Sequence, residues 1–118
     1  MLYKYKSDYE KIAMGLLSFI PDLKEIVNLQ TEIQWYEADD SRILYLWKNE
    51  NSDFVGILGT EIDNDFVMIR QIAVTPTERS QGVGFMMLDE LAKLYPDKKI
   101  MGSIETTALI TKWEQKND

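Results

Sequence analysis

The chain contains no cysteine and no histidine, and these two gaps remove whole classes of chemistry. Without cysteine there is no disulfide, no thiolate zinc site, no iron–sulfur cluster and no thiol nucleophile. Without histidine there is no Ser-His-Asp triad, no imidazole base and no histidine metal ligand. Positive charge is also short: 13 Lys+Arg against 20 Asp+Glu leave a formal net charge of −7. That balance argues against broad nucleic-acid binding. No apolar run approaches the roughly 20 residues that span a bilayer. The start, Met1-Leu2-Tyr3-Lys4-Tyr5-Lys6, lacks the basic-then-apolar layout of a secretory signal. The expectation is a cytoplasmic domain that holds no metal and binds neither membrane nor nucleic acid. Its chemistry must come from backbone groups, carboxylates, hydroxyls and Lys/Arg.

What is present suffices for a core. The 118 residues are 45% hydrophobic and 28% charged, without repeat, low-complexity tract or Gly/Ser linker, so residues 1–118 read as one domain. Leu2 to Tyr5 alternates weakly, as a short strand would. Tyr9, Ile12, Ala13, Leu16 and Phe19 recur at helical spacing up to Pro21, and a second helix restarts there with Leu23, Ile26, Val27, Gln30 and Ile33 on one side. After the polar break Asp39-Asp40-Ser41 come three strand-like runs, Ile43 to Trp47, Phe54 to Ile62 and Phe66 to Val74. The short turns between them, Asn51-Ser52-Asp53 and Asp63-Asn64-Asp65, predict an antiparallel meander. The carboxylates of the second turn read as turn chemistry, not a metal site. A helix follows from Gly82 or Gly84, with Phe85, Leu88, Leu91, Ala92 and Tyr95 inward until Pro96. Lys99 to Glu105 reads as another strand, and Thr106 to Gln115 as a terminal helix facing inward with Ala108, Leu109 and Trp113. The order β-α-α-β-β-β-α-β-α predicts a mixed α/β (α+β) domain. Trp35, Tyr36, Tyr45 and Trp47 read as core packing in preference to a stacking platform.

One stretch carries chemistry: Ile72-Ala73-Val74-Thr75-Pro76-Thr77-Glu78-Arg79-Ser80-Gln81-Gly82-Val83-Gly84. It sets two glycines, a polar run and an arginine between a strand end and a helix start. The first turn of a helix carries N–H groups with no intrahelical partner and partial positive charge. Gly82 and Gly84 let that backbone approach a bulky anion. Arg79 adds a planar donor fork suited to phosphate. The stretch reads as a diphosphate cradle. A Rossmann fingerprint would need a further glycine where Met87 stands, and a Walker loop would need Lys where Phe85 stands.

The spacing Arg79-x-x-Gly82-x-Gly84, after Ile72-Ala73-Val74 and before an amphipathic helix, resembles the acetyl-CoA-binding motif of GNAT-family N-acetyltransferases. The element order resembles that family along nearly the whole chain. The run Tyr9-Glu10-Lys11-Ile12-Ala13-Met14-Gly15-Leu16-Leu17-Ser18-Phe19 further resembles small acetyltransferase-like proteins encoded with bacterial riboflavin-biosynthesis genes. The resemblance implies a mainly antiparallel sheet flanked by helices and acetyl-CoA (coenzyme A) as cofactor. It implies that backbone groups around Ile72, Ala73 and Val74 take the pantetheine arm. The amides from Arg79 through Ser80, Gln81, Gly82 and Val83 to Gly84 would take the diphosphate. The acceptor implied is a small-molecule or protein amine.

Four family features differ. Where some members carry a glutamate base on the strand before the loop, this chain has Met68; Glu105 is the carboxylate expected to replace it, with Glu61 as the alternative. Where many members carry a tyrosine acid in the last helix, this chain has Trp113, expected as core. Thr106 and Thr107 stand where the family often has a cofactor-contacting asparagine, and read more simply as helix capping. The family adds two strands after that helix, whereas here Asp118 follows it; this shortened C-terminus leaves a strand edge that a homodimer would cover. Two functions fit: direct acetyl transfer to an amine within a ternary complex, and a non-catalytic acyl-CoA-binding regulatory module.

Overall fold

Alternating apolar residues through the middle of the chain build a five-stranded sheet in the order β1-β2-β3-β4-β5. The computed structural model describes residues 1–116, apart from the side chain of Ser80. The strands are β1 (Leu2–Lys4), β2 (Arg42–Lys48), β3 (Phe54–Ile62), β4 (Phe66–Val74) and β5 (Lys99–Gly102). The first four pair antiparallel in sequence, as their short turns dictate; β5 returns parallel to β4. That parallel return needs a long crossover, which α3 (Val83–Leu94) supplies. The remaining helices are α1 (Glu10–Leu17), α2 (Ile26–Glu37) and α4 (Thr107–Lys116).

Both faces of the sheet are covered, which explains the near-continuous burial of β2 and β3. Leu44, Leu46, Ile57 and Ala73 pack under α1 and α2 against Ala13, Leu17, Leu29 and Ile33. Tyr45, Leu58, Val67 and Ile69 pack under α3 and α4 against Met87, Leu88, Leu91 and Ile110. Tyr36, Tyr45 and Trp47 are buried, as core packing predicts.

Helix faces depart from expectation in places. Only Pro21–Leu23 turns at the expected restart, as a single 3₁₀ turn; Glu25 is extended and α2 begins at Ile26. That break rotates the face, so Leu29, Ile33 and Tyr36 go inward while Ile26 and Val27 stand 64% and 70% exposed. Ile12 and Phe19 are exposed too, and Leu17 is buried in their place. In α3 the buried set is Val83, Met87, Leu88 and Leu91; in α4 it is Ile110 and Trp113, with Ala108 exposed. Strand β5 stops at Gly102, short of the expected Glu105. A Cβ on Gly102 would lie 2.7 Å from the Thr107 Cα, so α4 folds directly over the strand end.

Candidate active site

The site begins with an irregularity in β4. Gly59 pairs with Gln71 but Thr60 pairs with Ile69, so Arg70 is an extra residue on β4. This bulge turns two consecutive side chains, Arg70 and Gln71, toward α2: Arg70 reaches Glu32 at 3.4 Å, and Gln71 accepts the Tyr36 hydroxyl at 2.8 Å. β5 accompanies β4 only from Phe66 to Ile69. There Thr106 pins the separation. Its hydroxyl donates to the Ile69 carbonyl at 2.7 Å and accepts the Ser103 N–H at 2.9 Å, while the Ser103 hydroxyl holds the Arg70 carbonyl at 3.3 Å. The two strands part, and one edge of β4 from Gln71 to Val74 opens.

Which groups face that opening follows from the ladder. The Thr75 N–H donates to the Val55 carbonyl on β3. Backbone direction alternates along an antiparallel strand, so Ala73 also faces β3, opposite Ile57, while Ile72 and Val74 turn their N–H and C=O to the opening. Ala73 therefore stands apart from its neighbours: its backbone serves the sheet and its side chain the α1–α2 core. At the Val74 carbonyl the Arg79 Nε donates at 3.2 Å, and the Arg79 guanidinium lies 5.9 Å from the Phe19 ring.

Past β4 the expected polar segment is a 3₁₀ turn, Pro76–Gln81, and Gly82 leaves it with φ +75°, a left-handed backbone that favours glycine. α3 starts one residue later. Its first α-helical bond runs from the Met86 N–H to the Gly82 carbonyl, leaving the amides of Val83, Gly84 and Phe85 without an intrahelical acceptor. A Cβ on Gly82 would meet nothing within 4 Å; one on Gly84 would meet only Ile72 Cδ1, at 3.9 Å. These amides, with open space beside the Gly82 and Gly84 backbone, are groups that fit a diphosphate.

The opening continues into a cleft of about 810 Å³. Ile72, Ala73, Val74, Arg79 and Glu105 line it, together with Glu32 and Asp22. Gln81 and Val83 border instead a second hollow, of about 460 Å³, beside Trp47 and Met86; the Val83 side chain itself is core. The Ser80 side chain lies outside what is described. Glu105 sits exposed in the turn between β5 and α4, not in a strand. Glu61 is not a free strand-end carboxylate, since it pairs with Arg70 at 3.6 Å. Trp113 is buried and donates its indole N–H to Asp89 at 2.8 Å.

A cluster that the sequence alone did not suggest adjoins the cleft, with Glu32 and Arg70 in its lining. Arg70 lies between Glu32 and Glu61, and its guanidinium stacks 4.0 Å from the Trp35 ring; Arg42 stacks at 4.1 Å from the same ring. Burial raises the Tyr36 hydroxyl and Arg70 lowers it, with Glu32 and Glu61 adding to the rise; burial dominates and holds it well above the ordinary phenol. The partners are 38 positions apart, so helical or strand spacing carries no trace of the pair.

An open strand edge beside a splayed parallel neighbour, followed in the chain by a glycine-led helix, is the arrangement of an acyl-CoA-binding α/β fold. The chain belongs to the acetyltransferase (GNAT) family, whose model matches residues 8–111. It is 44% identical over 115 residues, 97% of this chain and 95% of the other, to an uncharacterized N-acetyltransferase in the lysA 3′ region of Bacillus methanolicus. Its fold matches an aminoglycoside antibiotic 6′-N-acetyltransferase from Acinetobacter haemolyticus with TM-score 0.71, 14% identity, 99% of this chain and 88% of that one. It also matches an aminoglycoside N-acetyltransferase in complex with CoA, with TM-score 0.70, 12% identity, 98% of this chain and 84% of the other. Among the described residues no helix is long and apolar enough to cross a membrane, and no carboxylate cluster is arranged for a metal ion.

Proposed function

We propose that this chain transfers the acetyl group of acetyl-CoA to an amine by direct attack, with Glu105 receiving the amine's proton. The observation that supports it is the convergence, on one cleft, of the open Ile72–Val74 edge, Arg79 and Glu105. The cofactor, when bound, supplies an acetyl thioester. The free amides of α3 and Arg79 would hold its diphosphate, with the backbone from Ser80 to Gly84 around it. The outward groups of Ile72 and Val74 would take the pantetheine arm as an added strand would. Arg79 must release the Val74 carbonyl to free that position. The outward Val74 N–H is placed to donate to a carbonyl oxygen and stabilise charge developing there.

An ammonium has no lone pair, and lysine-like amines are mostly protonated at neutral pH. A carboxylate on the cleft wall must therefore take the proton before nitrogen attacks. Glu105, exposed at the rim, can pass it on to water. Met68, half-buried on β4, cannot do so. As nitrogen bonds to the acyl carbon, the carbon–sulfur bond would break and sulfur would leave as thiolate, needing little assistance at an ordinary thiol pKa of about 8.5. The second proton on the attacking nitrogen would pass to that thiolate or to water, leaving a neutral amide.

The test is thiol release from acetyl-CoA across a panel of amines. The protein contributes no thiol background, having no cysteine. The resemblance to riboflavin-gene relatives adds flavin-precursor amines to that panel. Turnover that falls at least tenfold in Glu105→Gln supports the reading; turnover unaffected by that change removes Glu105 from it. A second reading, a non-catalytic acyl-CoA-responsive module, is supported by Met68 and by the commitment of the Trp113 N–H to Asp89. Calorimetric CoA binding without turnover on any amine selects it, and absence of CoA binding defeats both. The homodimer proposed to cover the β5 edge is tested by sedimentation, a monomer at all concentrations overturning it.

A further inference from the structure

The reaction proposed above uses one carboxylate, yet the cleft holds another in a different setting. Glu32 comes from α2, its side chain is 17% exposed, and it lines the cleft. Its Oε1 accepts from Arg70, whereas its Oε2 takes no donor among the described residues. Arg70 is held in turn by Glu61 and by the face of Trp35, so the arginine has little freedom to move. Arg70 is shared by two carboxylates, while Arg42, on the same Trp35 ring, stands opposite Glu61 across the β2–β3 ladder. The shared guanidinium therefore does not use up the hydrogen-bonding capacity of Glu32. Glu105 lines the same cleft but is exposed, and no side-chain partner holds it among the described residues.

The two carboxylates therefore suit different tasks. One that is fixed, partly desolvated and anionic binds a cation by charge and a directed hydrogen bond. One at the water's edge exchanges protons. We propose that Glu32 is a specificity-determining residue that holds a second positive charge on the acceptor, so that the preferred substrate is a diamine or oligoamine rather than a monoamine. The inference rests on the acetyl-transfer reading. One amino group of the acceptor gives its proton to Glu105 and attacks; another stays protonated against Glu32 Oε2.

The experiment compares 1,4-diaminobutane with butylamine and 4-aminobutan-1-ol, matched in length and differing in the second charge. Wild-type protein is expected to show kcat/KM for the diamine about tenfold or more above either comparison amine, mainly through KM, as one charge-assisted contact implies. Glu32→Gln should erase most of that preference by raising the diamine KM, and Glu32→Asp should restore part of it. Glu114→Gln, on the exposed face of α4, should leave the preference intact. Thermal unfolding of each variant separates loss of selectivity from loss of fold. Equal efficiency on all three amines overturns the inference and leaves acetyl transfer standing. So does a Glu32→Gln variant that lowers kcat equally for all three, which would place Glu32 in the chemistry. CoA binding with no turnover of any amine overturns the inference and the transfer reading together.

Discussion

Replacing the two glycines of the cradle separates backbone strain from ligand contact, because they differ in conformation. Gly82 has φ +75° and an empty surrounding, so Gly82→Ala meets no steric neighbour and costs only the left-handed backbone. That cost is about 1–2 kcal/mol, a Tm drop of about 5 °C per kcal/mol in a domain of this size. Gly82→Asn tolerates the same backbone better and should recover most of the Tm. Gly84 lies inside the first turn of α3, where alanine is the better helix former. Gly84→Ala should therefore hold or raise stability by about 0.5–1 kcal/mol, its Cβ resting at ordinary contact distance from Ile72. Binding should move the other way. Each Cβ projects into space assigned to the diphosphate, and displacing one charge-assisted amide contact worth about 1.5–3 kcal/mol weakens CoA binding about 10- to 150-fold. The assay is calorimetric titration with CoA beside thermal unfolding for each variant. The decisive case is Gly84→Ala, since no loss of stability can explain its loss of affinity. If Gly84→Ala and Gly82→Asn both fold and bind CoA as wild type does, the cradle has been put in the wrong place.

Three further outcomes follow from packing and protonation. A Cβ on Gly59 would land on the Tyr36 hydroxyl and 2.8 Å from its Cζ, so Gly59→Ala must displace a buried ring and its bond to Gln71; urea unfolding should register a loss of about 2–4 kcal/mol, and a loss below 0.5 would contradict the geometry. Thr106→Val keeps shape but deprives the Ile69 carbonyl of a buried donor, predicting about 1–3 kcal/mol less stability and faster amide exchange at Ser103; wild-type exchange there would show that Thr106 does not pin the strands. Burial raises the Tyr36 and Tyr45 hydroxyls, Tyr45 with help from its bond to Tyr95. The folded state then retains protons that the unfolded state releases, so this contribution is fully present below about pH 10 and is lost as pH rises beyond it. Tyrosinate absorbance should show these two of the six tyrosines ionising only with unfolding, and six phenols titrating together in the folded protein would refute it.

Element order was legible because each element states its own period: three strand-length runs with two-to-three-residue polar turns admit little besides a meander. The cradle was legible for a similar reason, its residues being contiguous. Helix faces were less so. Reading Pro21 to Ile33 as one helix put Ile26 and Val27 inward, because nothing local announces that Glu25 is extended. The extent of β5 was hidden as well, since its end depends on α4 lying against Gly102. Least legible was the wall of the cleft. A bulge at Arg70 needs no glycine, and strict alternation would send Arg70 and Gln71 to opposite faces; both turn to α2 because the sheet register slips there. Glu32 then meets an arginine far along the chain, a contact that topology creates and spacing does not.

Charge ties the two ends of the cleft together. A chain of net charge −7 that binds an anionic donor looks self-defeating, but the opposing effects act over different distances. Diffuse repulsion is screened beyond about 8 Å at physiological ionic strength. Amides at a helix start and an arginine beside them act at contact, where screening is weakest. Arg79 serves the donor end of the cleft, whereas Arg70 is already neutralised by Glu32 and Glu61 and offers a second anion little. Asp22, Glu32 and Glu105 line the same cleft as Arg70 and Arg79. In the reading proposed above, three carboxylates and two guanidiniums, one of them already paired, leave the lining an excess of negative charge that suits a cationic acceptor. In that same reading, the surplus of acidic residues that repels the donor weakly from afar also draws cationic acceptors toward the protein.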